Sequence, residues 1–219
     1  MQISSPIIPA IIPQSYDDLV LQVQNIKGLP EVHVDVVDGV FVPSVSWPYE
    51  PSGDVVSARD LLVQFSLEVD LMVSQPLPAA VAWLAAGADQ LVFHVETISV
   101  EAFAQFTAEC PVSVGISCNN TTPLAVLYEY LPHADYVQCM GIAAIGSQGQ
   151  PFDESVIERL TQIHEQYPTM ALAIDGSVNE STIPKLTHLG LSRFIVGSAI
   201  IKAEQPKEAY TKLTKLAQS

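Results

Sequence analysis

The amino-acid sequence predicts a single-domain (β/α)₈ barrel. Three observations indicate this fold: eight short apolar runs, a helical pattern after each run, and no linker or low-complexity segment within the 219 residues. Strands that are separated by helices must run parallel, and parallel strands covered by helices read as continuous apolar runs. Eight such units favour closure of the sheet into a barrel.

The first half of the chain alternates regularly between strand and helix patterns. Ile7–Ile12 is a β-branched run, and Tyr16–Ile26 carries apolar residues at helical spacing. The Ala-rich segment Pro78–Ala86 predicts a helix that ends at Gly87, a residue typical of helix C-termini. The other elements predicted here are strands at Glu31–Val37, Leu67–Val73 and Gln90–Val95, and helices at Val55–Val63 and Val100–Ala108.

The second half continues the same alternation. Asp153 is the predicted N-cap of a helix at Glu154–Tyr167, and Gly190 ends a predicted helix at Ser181–Leu189. A doubly wound open sheet usually has a Gly-rich first turn, and residues 13–15 (Pro-Gln-Ser) contain no glycine. The remaining elements are strands at Val112–Cys118, Tyr136–Met140, Met170–Ile174 and Arg193–Val196, and helices after Pro123 and at Pro206–Ala217.

Composition and charge exclude several classes of protein. Hydrophobic residues make up 48% of the chain and charged residues only 15%, which predicts a large core rather than disorder. The net charge of −15 repels nucleic acid and acidic lipid, so neither is a predicted partner. The chain has neither a secretory signal pattern at Met1–Pro9 nor an apolar run long enough to span a membrane. Cys110, Cys118 and Cys139 show no CxxC spacing, which predicts buried thiols and a reducing, cytoplasmic location.

Polar residues at the ends of three predicted strands form the first candidate site. His33 and Asp35 are two residues apart, so both side chains point to the same face of their strand. Asp70 lies on the third strand and Asp175 ends the seventh. Because active sites of this fold lie at the C-terminal ends of the strands, the four side chains are expected to converge. Such groups are costly to bury unless they bind a metal or each other.

Other polar and sulfur-containing residues near these strand ends have simpler interpretations. Asp38 precedes a glycine and is interpreted as a turn residue. His94 and Glu96, on the fourth strand, are interpreted as supporting or core polar residues. Cys139 is interpreted as a core residue rather than a nucleophile. Met72 on strand three and Met140 at the end of strand six are predicted to contact the substrate.

Glycine-rich and small-residue loops form the second candidate site. They follow strands six, seven and eight, where barrels of this kind often bind phosphate. Glycine lets backbone N–H groups approach an anion closely. Ordinary strand-to-helix turns also favour glycine, but three such loops favour phosphate binding. Arg193 and Lys202 are the basic residues nearest to the loops in sequence. The predicted phosphate-binding residues are Gly146, Ser147, Gly149, Gly176, Ser177, Gly197 and Ser198.

These motifs, taken in order, resemble the ribulose-phosphate 3-epimerase family over nearly the whole chain. The segments are HVDVVDGVFVP at 33–43, LEVDLMV at 67–73, FHVE at 93–96, GISCNNTTP at 115–123, GSQGQPF at 146–152, IDGSVN at 174–179 and VGSAI at 196–200. The resemblance implies a (β/α)₈ barrel that interconverts ribulose 5-phosphate and xylulose 5-phosphate. It also implies that Asp35 and Asp175 transfer the proton, and that His33, Asp35, Asp70 and Asp175 hold a divalent metal.

The sequence departs from the family pattern at several positions. Asp70 stands where the family usually has His, Ala10 where it has Ser, and Val37 where it has Met. The loop at 140–146 lacks the usual Asn-Pro and is one residue longer, and the stretch at 46–49 (Ser-Trp-Pro-Tyr) also differs. These differences favour a relative with an altered substrate or activity.

Three functions are therefore compatible with the sequence. The first is a metal-dependent sugar-phosphate epimerase acting on a pentulose or hexulose phosphate. The second is another reaction on a similar phosphate, of the aldol or decarboxylation type. The third is a phosphosugar-binding protein without catalysis. The sequence leaves open whether the metal is manganese, magnesium, iron or zinc, and whether the chain forms a homo-oligomer.

Overall fold

The computed structural model, which describes residues 5–219, is a closed barrel of eight strands in sequential order, as predicted. Every neighbouring pair of strands is parallel, and the last strand pairs with the first through Ile7–Phe194 and Ile8–Ile195. The strands are β1 Ile7–Ile11, β2 Glu31–Val37, β3 Ser66–Met72, β4 Gln90–His94, β5 Ser113–Cys118, β6 Tyr136–Met140, β7 Ala171–Asp175 and β8 Arg193–Val196.

Helices connect the strands along the outside of the barrel. The α3 helix ends at Gly87, whose φ of 100° is the left-handed conformation that glycine adopts without strain. Asp153 was the predicted N-cap of the helix after β6, but the N-cap is Glu154, one residue later. The side chain of Asp153 still accepts a hydrogen bond from the backbone N–H of Ser155. The helices are α1 Tyr16–Asn25, α2 Arg59–Leu62, α3 Pro76–Ala86, α4 Val100–Glu109, α5 Leu124–Tyr128, α6 Ser155–Gln166, α7 Ile183–Leu186, α8 Ser198–Ile201 and α9 Pro206–Ala217.

Two predicted helices are shorter than the sequence pattern suggested, and α8 was not predicted. The segment Val55–Ala58 is a 3₁₀ turn that leads into α2, as is common at helix N-termini. The side chain of Asp54 accepts a hydrogen bond from the N–H of Val56 at the start of this turn. The predicted helix at Ser181–Leu189 begins only at Ile183. The side chain of Asn179 accepts hydrogen bonds from Ser181 and holds that residue in a turn.

The inside of the barrel contains two kinds of side chain. A small apolar group fills part of it: Ile8, Ala10, Val92, Tyr136, Ala173 and Ile195. Buried polar and charged residues fill much of the rest, including His33, Glu68 and Asp70 on β2 and β3. The larger apolar core lies between the strands and the helices. The alternation of β-strand side chains separates these two environments.

The loop after β2 folds back over the barrel mouth and contacts the loop after β6. Val42 of the first loop lies so close to Gly146 that a Cβ atom there would be 2.7 Å from Val42 Cγ2. Asp38 is a turn residue: it accepts from the N–H groups of Val40 and Phe41. Its other oxygen accepts from the N–H and hydroxyl of Ser74, which ties this loop to β3.

Three predictions from the sequence concern a membrane-spanning helix, a secretory signal and the burial of the cysteines. Among residues 5–219, no helix has the length and apolar character needed to cross a bilayer. The prediction that Met1–Pro9 is not a secretory signal falls partly on residues 1–4, which lie outside that range. The sequence also predicted that all three cysteines are buried thiols. Cys118 and Cys139 are buried free thiols, but Cys110 is only half-buried, so the prediction was wrong for Cys110.

Candidate active site

The structure brings the four predicted strand-end residues together at the C-terminal end of the barrel. Ligand atoms of His33, Asp35, Asp70 and Asp175 all lie within 4.8 Å of one another, and all four residues are buried. His33 Nε2 lies 3.2 Å from Asp35 Oδ1 and 4.0 Å from Asp70 Oδ2. The four side chains therefore converge, as the sequence predicted.

Strand register explains why these side chains meet. His33 pairs with Glu68, and Asp35 pairs with Asp70, so two interior positions of β2 lie beside two interior positions of β3. Asp175 is the last residue of β7 and reaches the same level from across the barrel. Closure of the sheet places non-neighbouring strands opposite each other over a narrow interior.

Glu68 fixes the orientation of the His33 imidazole. His33 Nδ1 lies 2.6 Å from Glu68 Oε1, which leaves Nε2 facing the carboxylates. Tyr136 donates its hydroxyl to Glu68 Oε2 at 2.6 Å, and Arg193 Nη2 lies 3.3 Å from that oxygen. Burial by itself raises the pKa of Glu68, but hydrogen bonds with His33 and Tyr136 and the charges of His33 and Arg193 lower it to about 2. Glu68 is therefore an anion in the barrel interior.

The carboxylate of Asp70 is held by two other side chains. His94 Nε2 lies 2.9 Å from Asp70 Oδ1, and Gln138 donates its amide to Asp70 Oδ2 at 2.7 Å. The supporting role expected of His94 matches this contact. Glu96 instead accepts from the backbone N–H of Asn119, outside the cluster. Gln138 was missed, although an amide among the apolar residues of strand six is a signal that could have identified it.

The electrostatics of the cluster favour a cation. Burial raises the pKa of Asp175 well above its usual range, and the negative charge of Asp35 raises it further. Burial also raises the pKa of Asp35, although contact with His33 opposes this. Burial lowers the pKa of His33, but bonds to Asp35 and Glu68 outweigh this and raise it well above the ordinary value. A positive charge placed between Asp35 and Asp175 would relieve the repulsion between their carboxylates.

The donor set fits a divalent metal ion. One imidazole nitrogen and oxygens from three carboxylates are ligands that such ions take in proteins. His33 and Asp70 each have a further hydrogen-bond partner that fixes their orientation: Glu68 for His33 and Gln138 for Asp70. Metal-binding histidines usually make such a bond through the other ring nitrogen. The side chains at this end of the barrel therefore form a candidate metal site.

A cavity of about 240 Å³ opens directly above the cluster. Asp35 and Asp175 border it, and Met72 and Met140 form part of its apolar wall. All seven predicted phosphate-binding residues also line it: Gly146, Ser147, Gly149, Gly176, Ser177, Gly197 and Ser198.

The loop residues that line the cavity are glycines and uncharged side chains rather than cations. No lysine or arginine from residues 5–219 lines it. Arg193 was expected near the phosphate loops from its place in the sequence, and this was wrong. Arg193 begins β8 at the opposite end of the barrel, where it pairs with Glu31 at 3.0 Å. Gln148 also lines the cavity and was missed; its amide donates to the backbone carbonyl of Ala10 at 3.3 Å.

The turn after β7 has an unusual backbone. Gly176 has a φ of 102°, and Ser177 follows with a φ of 53°, which is uncommon for a residue other than glycine. A Cβ atom on Gly176 would lie 2.8 Å from Ile142 Cγ1. Glycine is therefore required at this position. Backbone strain of this kind is concentrated at ligand-binding sites.

Comparison with protein families identifies the chain. The model described as the ribulose-phosphate 3 epimerase family matches residues 5–201. The chain belongs to the ribulose-phosphate 3-epimerase family. It is therefore an isomerase-class enzyme, and the third possibility considered from the sequence, binding without catalysis, is not supported.

Relatives in this epimerase family match most of the chain. The ribulose-phosphate 3-epimerase of Aquifex aeolicus is 30% identical and covers 86% of this chain and 85% of its own length. That of Mycobacterium bovis is 28% identical, with coverage of 96% and 92%. That of Bacillus subtilis is 26% identical, with coverage of 94% and 97%.

Solved structures similar to this family member share its fold. The 3-hexulose-6-phosphate synthase of Salmonella typhimurium superposes with a TM-score of 0.71 at 14% identity, covering 97% of this chain and 98% of that one. The 3-keto-L-gulonate-6-phosphate decarboxylase of Vibrio cholerae gives a TM-score of 0.70 at 15% identity, with coverage of 97% and 98%. At these identities the likeness supports the (β/α)₈ architecture alone.

Proposed function

We propose that this protein is a metal-dependent 3-epimerase of a ketose phosphate, in which Asp35 and Asp175 transfer the proton. The observation that carries the proposal is the placement of these two buried carboxyls, on β2 and β7, at the floor of one cavity. The family name supports a ribulose phosphate as the substrate, and we propose ribulose 5-phosphate, with xylulose 5-phosphate as the product. A related hexulose phosphate is the alternative substrate.

The proposed reaction inverts one carbon beside a carbonyl. One carboxylate removes the proton from that carbon, which leaves an enediolate, and the other carboxylic acid delivers a proton to the opposite face. Burial raises the pKa of both Asp35 and Asp175, which makes each carboxyl a better proton acceptor than an exposed aspartate. One proton leaves and one proton is returned, so product and substrate have the same composition. In the reverse reaction the two carboxyls exchange roles.

His33, Asp35, Asp70 and Asp175 would hold the metal. When bound, a divalent ion would stabilise the negative charge that develops on the substrate oxygen. With three carboxylates and one imidazole, the donor set favours manganese or magnesium over zinc. The apolar wall formed by Met72 and Met140 keeps water away from the reacting carbon and strengthens the charge interactions there.

The opposite end of the substrate would place its phosphate among the three small-residue loops. Backbone N–H groups of these loops supply the positive field, since the cavity has no cationic side chain from residues 5–219. Aldol and decarboxylation chemistry is the competing function. It would break a carbon–carbon bond, whereas two opposed carboxyls fit proton removal and return.

The test is to incubate the metal-loaded protein with ribulose 5-phosphate in D₂O and to follow the products by NMR. The expected result is conversion to xylulose 5-phosphate with deuterium at the inverted carbon. A hexulose 6-phosphate is assayed in parallel to compare kcat/KM. Carbon–carbon cleavage products, or no exchange with any of these ketose phosphates, would contradict the proposal.

A further inference from the structure

Three buried polar side chains form a row beside the carboxylate of Asp70. They lie at one level of the barrel, on three consecutive strands: His94 on β4 pairs with Ser117 on β5, which pairs with Gln138 on β6. All three are almost completely buried. His94 and Gln138 each direct one nitrogen to Asp70.

Each member of this row keeps one polar atom with no protein partner. Within residues 5–219, His94 Nδ1, Ser117 Oγ and Gln138 Oε1 make no hydrogen bond. A buried polar atom without a partner destabilises the folded state, so such atoms are normally satisfied by protein or by ordered water. Three of them on adjacent strands indicate a shared partner.

The donors and acceptors of the row define the chemistry of that partner. Gln138 Oε1 can only accept a hydrogen bond, whereas the Ser117 hydroxyl can donate or accept, and so can an imidazole nitrogen according to its tautomer. The partner must therefore offer positive charge or a hydrogen-bond donor to Gln138 Oε1, which excludes a simple anion. Water donates two hydrogen bonds and accepts two, and buried waters typically make about three. Ser117 and Ala173, the register neighbours of Gln138, are both small residues.

We propose that His94, Ser117 and Gln138 bind one buried water molecule, and that this hydrogen-bonded layer fixes the orientation of the Asp70 carboxylate. Both oxygens of Asp70 are hydrogen-bonded, one to His94 and the other to Gln138, which restricts rotation of the carboxylate about its χ2 angle. His94 and Gln138 are positioning residues, since they act through Asp70. The consequence for metal binding rests on the proposed function, whereas the water site and the carboxylate orientation do not.

Crystal structures of the metal-free native protein and two variants test the site directly. We expect one ordered solvent molecule bonded to all three side chains in the native protein and its loss in Ser117→Ala. In Gln138→Leu, which is similar in size, we expect the Asp70 carboxylate to rotate. Native density without a shared solvent molecule, or an unmoved Asp70 in Gln138→Leu, would overturn the inference. A bound cation in place of water would also overturn it, and anomalous scattering from crystals grown with rubidium would detect one.

Calorimetric titration with Mn²⁺ supplies a readout separate from catalysis. We expect Gln138→Leu to weaken Mn²⁺ binding about 10- to 100-fold, as changes behind metal ligands commonly do. The matched control is Gln90→Leu, the same substitution at the first residue of β4, with unchanged affinity expected. Equal affinity in Gln138→Leu and the native protein contradicts the positioning role. If the native protein binds no Mn²⁺, the proposed metal site fails, and the Asp70 orientation in the crystals still decides this inference.

Discussion

His33 Nδ1 lies 2.6 Å from Glu68 Oε1 inside the barrel. This contact turns the second ring nitrogen of His33 toward Asp35 and Asp70. Because Glu68 remains ionised and bonded on both of its oxygens, it holds the ring in one orientation. The N-terminal half of the barrel interior therefore supports the candidate metal site above it.

Glu68→Gln should weaken metal binding. We expect the affinity for Mn²⁺ to fall about 10- to 100-fold, because the neutral amide orients and polarises the imidazole less strongly than a carboxylate. Calorimetric titration measures the effect. The control is Glu31→Gln, which also loses a charge beside Arg193 but does not contact His33. The role assigned to Glu68 is wrong if both variants bind Mn²⁺ as the native protein does.

Asp35→Asn and Asp175→Asn should each remove epimerase activity while the barrel still folds. The loss of a proton carrier typically reduces turnover ~10²- to 10⁴-fold. Burial raises the pKa of both carboxyls, so their ionised forms oppose folding, and neutral amides should not lower the melting temperature of the metal-free protein. Steady-state kinetics and circular dichroism measure the two effects. Asp17→Asn, in the first turn of α1, is the control, and full activity in either site variant would exclude the two-carboxyl mechanism.

Asp70→His should change the metal preference. The native site is expected to bind Mn²⁺ or Mg²⁺ in preference to Zn²⁺, and an added imidazole should strengthen Zn²⁺ binding. Competition titrations with the three ions measure the preference. Asp60→His, in the short helix α2, adds an imidazole away from the site and serves as the control. Tight Zn²⁺ binding by the native protein that Asp70→His leaves unchanged would contradict this interpretation.

Gly176→Ala should weaken binding of the substrate phosphate and raise KM. The new Cβ would lie 2.8 Å from Ile142 Cγ1 and would displace the turn after β7. Gly87→Ala is a matched control, since Gly87 has a similar φ of 100° but no atom within 4 Å of the added Cβ. Sulfate soaked into native crystals should bind among residues 146–149, 176–177 and 197–198. An anion bound elsewhere, or equal KM values in the two variants, would reject this phosphate site.

Asp38→Ala should destabilise the protein by about 1 kcal/mol at neutral pH, since it removes hydrogen bonds to a charged group whose contribution solvent partly screens. Burial raises the pKa of Asp38, but the bonds from Ser74, Phe41 and Val40 outweigh it and lower the pKa below the usual value. The stabilisation is therefore present above the unfolded-state pKa of about 3.9 and declines as pH falls below it. Urea unfolding of both proteins from pH 7 to pH 3 measures this. A difference that does not shrink toward pH 3 would contradict the assignment.

Local patterns in the sequence were sufficient to predict the barrel and most of its elements. The strand Glu31–Val37 and the helix Pro206–Ala217 have the predicted bounds, because each depends on apolar spacing within a few residues. The period-two placement of His33 and Asp35 also predicted that both face the interior. These features follow from backbone geometry, in which each residue's direction is fixed by its neighbours in sequence.

Only the tertiary structure decided which polar groups touch each other. Gln138 and Asp70 are 68 residues apart, and nothing in either segment indicates their contact at 2.7 Å. Arg193 lies between the second and third loops in sequence but stands at the far end of the barrel, bonded to Glu31. Such contacts depend on the closure of the sheet and the register of all eight strands. A local pattern determines the face on which a side chain lies, whereas its partner across the barrel is set by the assembled fold.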